Sequence, residues 1–132
     1  MEDFITFEIA KKLKEKGFDC KYPFAMYNED GNFFPLYSSD KYYYEINDFD
    51  ENDFIAPTIE QVLKWLRNNK KTIVSILPVA FNEKENKFTQ YYCTIYYATQ
   101  EFTFEMYERP DTFETYEECA LNAIEYVINN LI

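Results

Sequence analysis

A chain of 132 residues with 47% apolar and 28% charged side chains has the size and composition of one globular domain, able to bury roughly two thirds of its unfolded surface. Its 24 acidic against 13 basic residues leave a net charge of −11, a field that repels phosphate backbones and anionic lipid, so direct binding to nucleic acid or to a membrane surface is not expected. There is no histidine and there are only two glycines, so histidine-activated nucleophiles, most zinc enzymes, P-loops and dinucleotide fingerprints are all excluded.

No apolar run reaches the roughly 20 residues that span a bilayer. The opening MEDFITFEIA is acidic where a signal peptide is basic. Cys20, Cys93 and Cys119 are odd in number and far apart, which favours reduced thiols in a cytoplasm over a disulfide framework. The charge is unevenly spread: residues 29–54 and 91–132 each carry −7, whereas 55–90 carry +3. Aromatics reach 20%, with 13 Tyr and 13 Phe, and favour a sheet whose faces carry many rings.

In chain order, Ile5, Ile9 and Leu13 are spaced i, i+4, i+8 and predict a helix over about 3–16, with Gly17 as its C-terminal stop and Phe18 packing behind it. Residues 21–37 read as a hairpin around the turn signal Asn28-Glu29-Asp30-Gly31-Asn32. Alternation over 42–46 predicts a third strand, followed by an acidic loop to Asp53. Thr58 and Gln61 form a capping box for a second helix with Ile59, Val62, Leu63 and Leu66 as its apolar stripe, Trp65 at the border and Pro57 placed to staple onto Val62. Residues 72–80 are apolar on both parities and read as a central strand buried on two sides. Strands over 88–98 and 101–107 complete a meander, and Thr115 with Glu118 opens a last helix that docks on the sheet through Ala120, Ile124, Val127, Ile128 and Leu131. The expectation is a single α+β domain over 1–132, with three helices and a mixed or mainly antiparallel sheet of about five to six strands, in the order α-β-β-β-α-β-β-β-α.

No catalytic set emerges. Asp48, Asp50, Asn52 and Asp53 resemble a calcium loop, but the sixth position is Asp53 instead of Gly and the twelfth is Ile59 instead of Glu, so no metal is expected. Glu101 and Glu105 share a strand face, with Glu108 and Asp111 following, and a carboxylate enzyme would need two such groups facing each other in a cleft. Neither an enzymatic activity nor a cofactor is expected. Tyrosines carry the stronger signal. Tyr42, Tyr43 and Tyr44 are consecutive, so at least one leaves the core, and Tyr91/Tyr92 and Tyr96/Tyr97 likewise populate both faces of one strand. Tyr42, Tyr43, Tyr44, Tyr92, Tyr96 and Trp65 are the candidate interface residues, since Tyr and Trp dominate binding hot spots.

The segments EIAKKLKEKGF, APTIEQVLKWLR and TYEECALNAIEYVINNLI resemble a family of small proteins without assigned activity in gut bacterial genomes, often encoded in prophages or mobile elements. The likeness covers the three predicted helices, about a third of the chain. It implies a bacterial or phage cytoplasmic setting and assigns no functional residue. The function expected from the residues is a non-enzymatic protein-interaction or self-associating module. The alternatives are an acidic mimic of nucleic acid that inhibits a DNA-binding protein, or a small carboxylate-based enzyme.

Overall fold

The computed structural model describes residues 3–20, 23–38, 41–42, 51–99 and 104–132. The described elements are α1 (Phe7–Glu15), β1 (Ala25–Tyr27), β2 (Phe33–Pro35), β3 (Tyr37–Ser38), β4 (Lys41–Tyr42), β5 (Phe54–Ile55), α2 (Ile59–Asn69), β6 (Thr72–Asn82), β7 (Lys87–Ala98), β8 (Phe104–Glu108) and α3 (Tyr116–Asn130). The class is α+β. The strands do not form one sheet of five or six: they form an antiparallel sheet β2-β1-β5, a two-stranded ribbon β3-β4 and an antiparallel sheet β6-β7-β8. The chain clusters into two compact units, Met1–Gln61 and Val62–Ile132, with the boundary inside α2.

In the first unit, α1 is shorter than its apolar period suggests. Thr6 is extended and its Oγ1 accepts from the Ile9 N–H at 3.3 Å, so the helix begins after it. The preceding residues serve a different partner: the Ile5 N–H donates to the Pro57 carbonyl at 3.1 Å, and the Ile59 N–H donates to the Asp3 carbonyl at 2.9 Å. The predicted stop holds. Gly17 sits at φ +83°, its N–H donates to the Lys14 carbonyl, and the Phe18 N–H donates to the Leu13 carbonyl at 2.9 Å, which satisfies two end carbonyls that the helix cannot bond itself.

The hairpin also forms as expected. Met26 pairs with Phe34 and Tyr27 with Phe33. Asn28 organises the turn, because its Oδ1 accepts from the Asp30 and Asn32 amides at 2.9 and 3.0 Å. These strands are only two or three residues long. The β1–β2 ladder continues past Pro35, since the Leu36 N–H donates to the Phe24 carbonyl at 2.8 Å, and the donor that Pro35 lacks faces the side of β2 away from β1. Phe7 of α1 lies against Tyr27 and Phe54, with ring centroids at 5.4 and 5.6 Å, and so fixes the helix over the small sheet. The strand expected over 42–46 lies outside the described residues apart from Tyr42, whose backbone belongs to β4.

The capping box at α2 is complete. Thr58 Oγ1 accepts from the Gln61 N–H at 3.1 Å, and Gln61 Oε1 accepts from the Thr58 N–H at 2.9 Å. Ile59, Val62 and Leu66 are its buried positions.

In the second unit, β6 and β7 form a long hairpin, β8 adds to the other side of β7, and α3 packs across β6 and β7. The core there joins Cys93 to Cys119 and Ala123, with Val74, Ile76, Tyr91 and Phe113 packed around them. The capping box expected at Thr115 and Glu118 forms by half: Thr115 accepts from the Glu118 N–H at 3.0 Å, and the Glu118 carboxylate makes no return bond to the Thr115 amide. One expectation fails here. β6 pairs with β7 alone and so lies at an edge among the described strands, and Ile73, Leu77 and Val79 are 48, 44 and 51% exposed. Its second apolar face is not buried.

Candidate interaction surface

The second-unit sheet has two unlike faces. Alternation along β7 sends Tyr91, Cys93 and Ile95 toward α3, where Cys93 and Ile95 are fully buried. Tyr92, Thr94 and Tyr96 therefore point to the opposite face. Their cross-strand partners lie beside them: Tyr92 opposite Leu77, Thr94 opposite Ser75 and Glu108, and Tyr96 opposite Ile73 and Met106. Tyr92 and Tyr96 are half-buried, Thr94 is buried between them, and Met106 is 60% exposed. The result is a strip of aromatic, aliphatic and hydroxyl side chains with one carboxylate, Glu108, at its border.

The strip ends in a cavity of about 530 Å³ lined by Val79, Tyr92, Glu108, Pro110 and Asp111. Val79 is presented there by a ladder irregularity between Pro78 and Ala80, which leaves it without a cross-strand partner. A second cavity of about 590 Å³ lies near the start of α3, where Phe88, Tyr91 and Tyr116 meet Glu85, Glu114 and Glu117. The Phe88 and Tyr91 rings stand 6.4 Å apart and those of Tyr91 and Tyr116 6.2 Å apart, all in edge-on geometry.

Of the six candidate residues, the fold brings Tyr92 and Tyr96 onto one face. Trp65 stands on α2 instead, half-buried, with the Lys70 ammonium 5.3 Å from its ring centre. Tyr43 and Tyr44, and the side chain of Tyr42, lie outside the described residues. Ile73, Leu77, Val79 and Met106 were not anticipated as surface residues. The signal that could have found three of them is Pro78, since a proline inside a strand points to an edge.

Other features have structural roles. Arg109 donates from Nη2 to Asn122 Oδ1 at 2.9 Å and stacks 4.5 Å over the Tyr126 ring, which lies parallel to Tyr107 at 4.8 Å. Cys93 and Cys119 are fully buried, and burial pushes the Cys119 thiol up to about 12, with Cys93 beside it adding to the effect. In the acidic loop of the first unit, the Lys14 ammonium donates to the Glu51 and Asp53 carbonyl oxygens and sits 4.8 Å over the Phe54 ring. Asp48 and Asp50 lie outside the described residues. Among the described residues no three Cys, Asp or Glu side chains come together as metal ligands, and no helix is long and apolar enough to cross a membrane. Glu105 and Glu108 fall on opposite faces of β8, and Glu101 lies outside the described residues.

No protein-family model matches the chain, and neither the curated proteins nor the solved structures contain a match to it.

Proposed function

We propose that this protein is a non-enzymatic interaction module that binds protein, including copies of itself, through the sheet face carrying Ile73, Leu77, Tyr92, Tyr96 and Met106. One observation carries the reading. A sheet covered by a helix on one side leaves on the other side large apolar side chains that are 44–60% exposed, next to two tyrosines and a cavity. Exposed apolar groups cost about 25 cal/mol for each Å² left in water, and contiguous patches of them mark binding sites. Tyr supplies contact area with little rotamer entropy to lose, which suits it to an anchor. The setting proposed is cytoplasmic and bacterial or phage, in line with the helical segments that resemble such proteins.

The test is light scattering coupled to size-exclusion chromatography, together with affinity capture from a gut bacterial lysate. The wild-type chain is compared with Leu77→Ser/Tyr92→Ser. Association or capture lost in the variant supports the reading. A monomer at all concentrations with no captured protein sinks it.

A second reading, nucleic-acid mimicry, is favoured by the acidity of 91–132. Glu105, Glu108, Asp111, Glu114, Glu118 and Glu125 are exposed, while the segment's one base, Arg109, has its guanidinium against Asn122 and Tyr126. Competition against DNA for a bound nuclease or repressor would test it, and capture of no DNA-binding protein removes it.

A further inference from the structure

We infer that β6 pairs with β6 of a second copy, antiparallel about a two-fold axis at Ser75, to join two three-stranded sheets into one of six strands. The inference rests on the interaction-module reading and names the partner and the register.

The main-chain geometry of β6 can be read from its neighbours. Tyr91 exchanges both of its backbone hydrogen bonds with Phe113 at 2.8 Å, and the Cys93 carbonyl accepts from the Arg109 N–H at 3.1 Å. Odd positions of β7 thus bond away from β6, and even positions bond toward it. The β6 partners of Tyr92, Thr94 and Tyr96 are Leu77, Ser75 and Ile73. Odd positions of β6 are therefore used by β7. The N–H and C=O groups of Val74 and Ile76 point to the free edge, where no described strand pairs with them, whereas Thr72 is 2% exposed and closed to a partner. Pro78 presents only a carbonyl there.

Three features select a second copy as the occupant. First, β6 is 11 residues without one charged side chain, in a chain of net charge −11. Two identical acidic molecules repel wherever their carboxylates meet, so a neutral strand is where they approach at least cost. Second, the edge limits its own register. Outward groups sit on even residues, so even must pair with even. Pro78 and the ladder irregularities between Pro78 and Phe81 stop pairing beyond 78. With Thr72 buried, the accessible outward groups are those of Val74 and Ile76, and a two-fold axis at Ser75 sets each Val74 opposite the other copy's Ile76. This ladder makes about four main-chain hydrogen bonds, two for each Val74–Ile76 pair. Third, the exposed side chains become self-complementary. Ile73 of one copy falls opposite Leu77 of the other, so side chains that are 48 and 44% exposed cover each other.

The register is testable because Ser75 meets Ser75 as a non-hydrogen-bonded pair, with Cα atoms about 4.5 Å apart, within reach of a disulfide. The full chain is used with Cys20→Ser to remove the half-buried thiol. Ser75→Cys, oxidised with glutathione disulfide, is expected to run as a covalent dimer of twice 16.0 kDa. Each new bond consumes one glutathione disulfide and releases two glutathione thiols. Leu77→Cys is expected to stay monomeric on a denaturing gel, and Ile73→Cys/Leu77→Cys to cross-link. Unmodified Ser75→Asp should weaken the dimer at least tenfold with unchanged circular dichroism. A wild-type chain that is monomeric overturns the inference, and if that monomer still captures a protein through Leu77 and Tyr92, the interaction-module reading survives alone. Cross-linking of Leu77→Cys above Ser75→Cys, or a dimer indifferent to Ser75→Asp, overturns the proposed pairing.

Discussion

Gly17 and Gly31 both adopt left-handed backbone, at φ +83° and +86°, yet they are not equivalent. A Cβ at Gly17 would meet nothing within 4 Å, whereas one at Gly31 would lie 3.0 Å from Phe7 Cδ2. Gly17→Ala should therefore cost only the backbone term, about 1–2 kcal/mol. Gly31→Ala should cost more, because Phe7 must also shift, and Phe7 lies against Tyr27 and Phe54. Urea unfolding of both variants checks the order, and equal losses would show that Phe7 gives way freely. A second prediction at this scale concerns Cys119. Its thiol is pushed up to about 12 by burial, so between pH 9 and 12 the unfolded chain releases a proton that the folded one keeps. The stability tied to this group is intact below pH 9 and declines above it, by about 1.4 kcal/mol per pH unit at most. The decline ends once the folded thiol also ionises. Cys119→Ala should show a shallower alkaline fall in unfolding free energy than wild type, and identical slopes would refute the assignment.

The elements differ in how firmly their ends are fixed. At α2 the Thr58–Gln61 box is reciprocal and Thr58 is 2% exposed, while at α3 Thr115 is exposed and accepts one bond, from the Glu118 amide. Thr58→Ala should cost about 1–2 kcal/mol and Thr115→Ala about 0.5–1 kcal/mol, since a lost cap is most expensive where water cannot replace it. Thermal melts of the two variants test this, and a larger loss at Thr115 would contradict it. Both caps were legible in the sequence because capping is local: one hydroxyl, three residues and a backbone amide decide it. Gly17 and the Asn28 turn were legible for the same reason. The face exposed by β6 was not, because Ile73, Val74, Ile76 and Leu77 are apolar on both parities, and a one-sided edge strand of that composition reads like a two-sided central one. Periodicity cannot count neighbours. Pro78 could have, since it removes the donor that a central strand would need. The start of α1 was misplaced for a related reason: Ile5 fits the helical period, but Thr6 caps the helix after it and Ile5 bonds to Pro57 instead.

For the molecule as a whole, charge makes the two proposed kinds of association respond to salt in opposite senses. Two copies at −11 repel over a distance set by ionic strength, about 30 Å at 0.01 M and 10 Å at 0.1 M. If the contact is the uncharged strand β6, salt screens the repulsion between the acidic segments and leaves the hydrogen-bonded, apolar contact nearly untouched. Self-association should then tighten several-fold between 0.02 and 0.3 M NaCl. If instead the acidic segment 91–132 takes a basic partner, the same salt weakens binding, because it screens the attraction that drives it. Sedimentation velocity across this range reads the sign for the protein alone, and titration with a captured partner reads it for the complex. Self-association that weakens with salt would place the carboxylates inside the contact and remove β6 as the pairing edge. A dimer that tightens with salt while a captured partner dissociates would assign the neutral strand to self-pairing and the acidic surface to a second role.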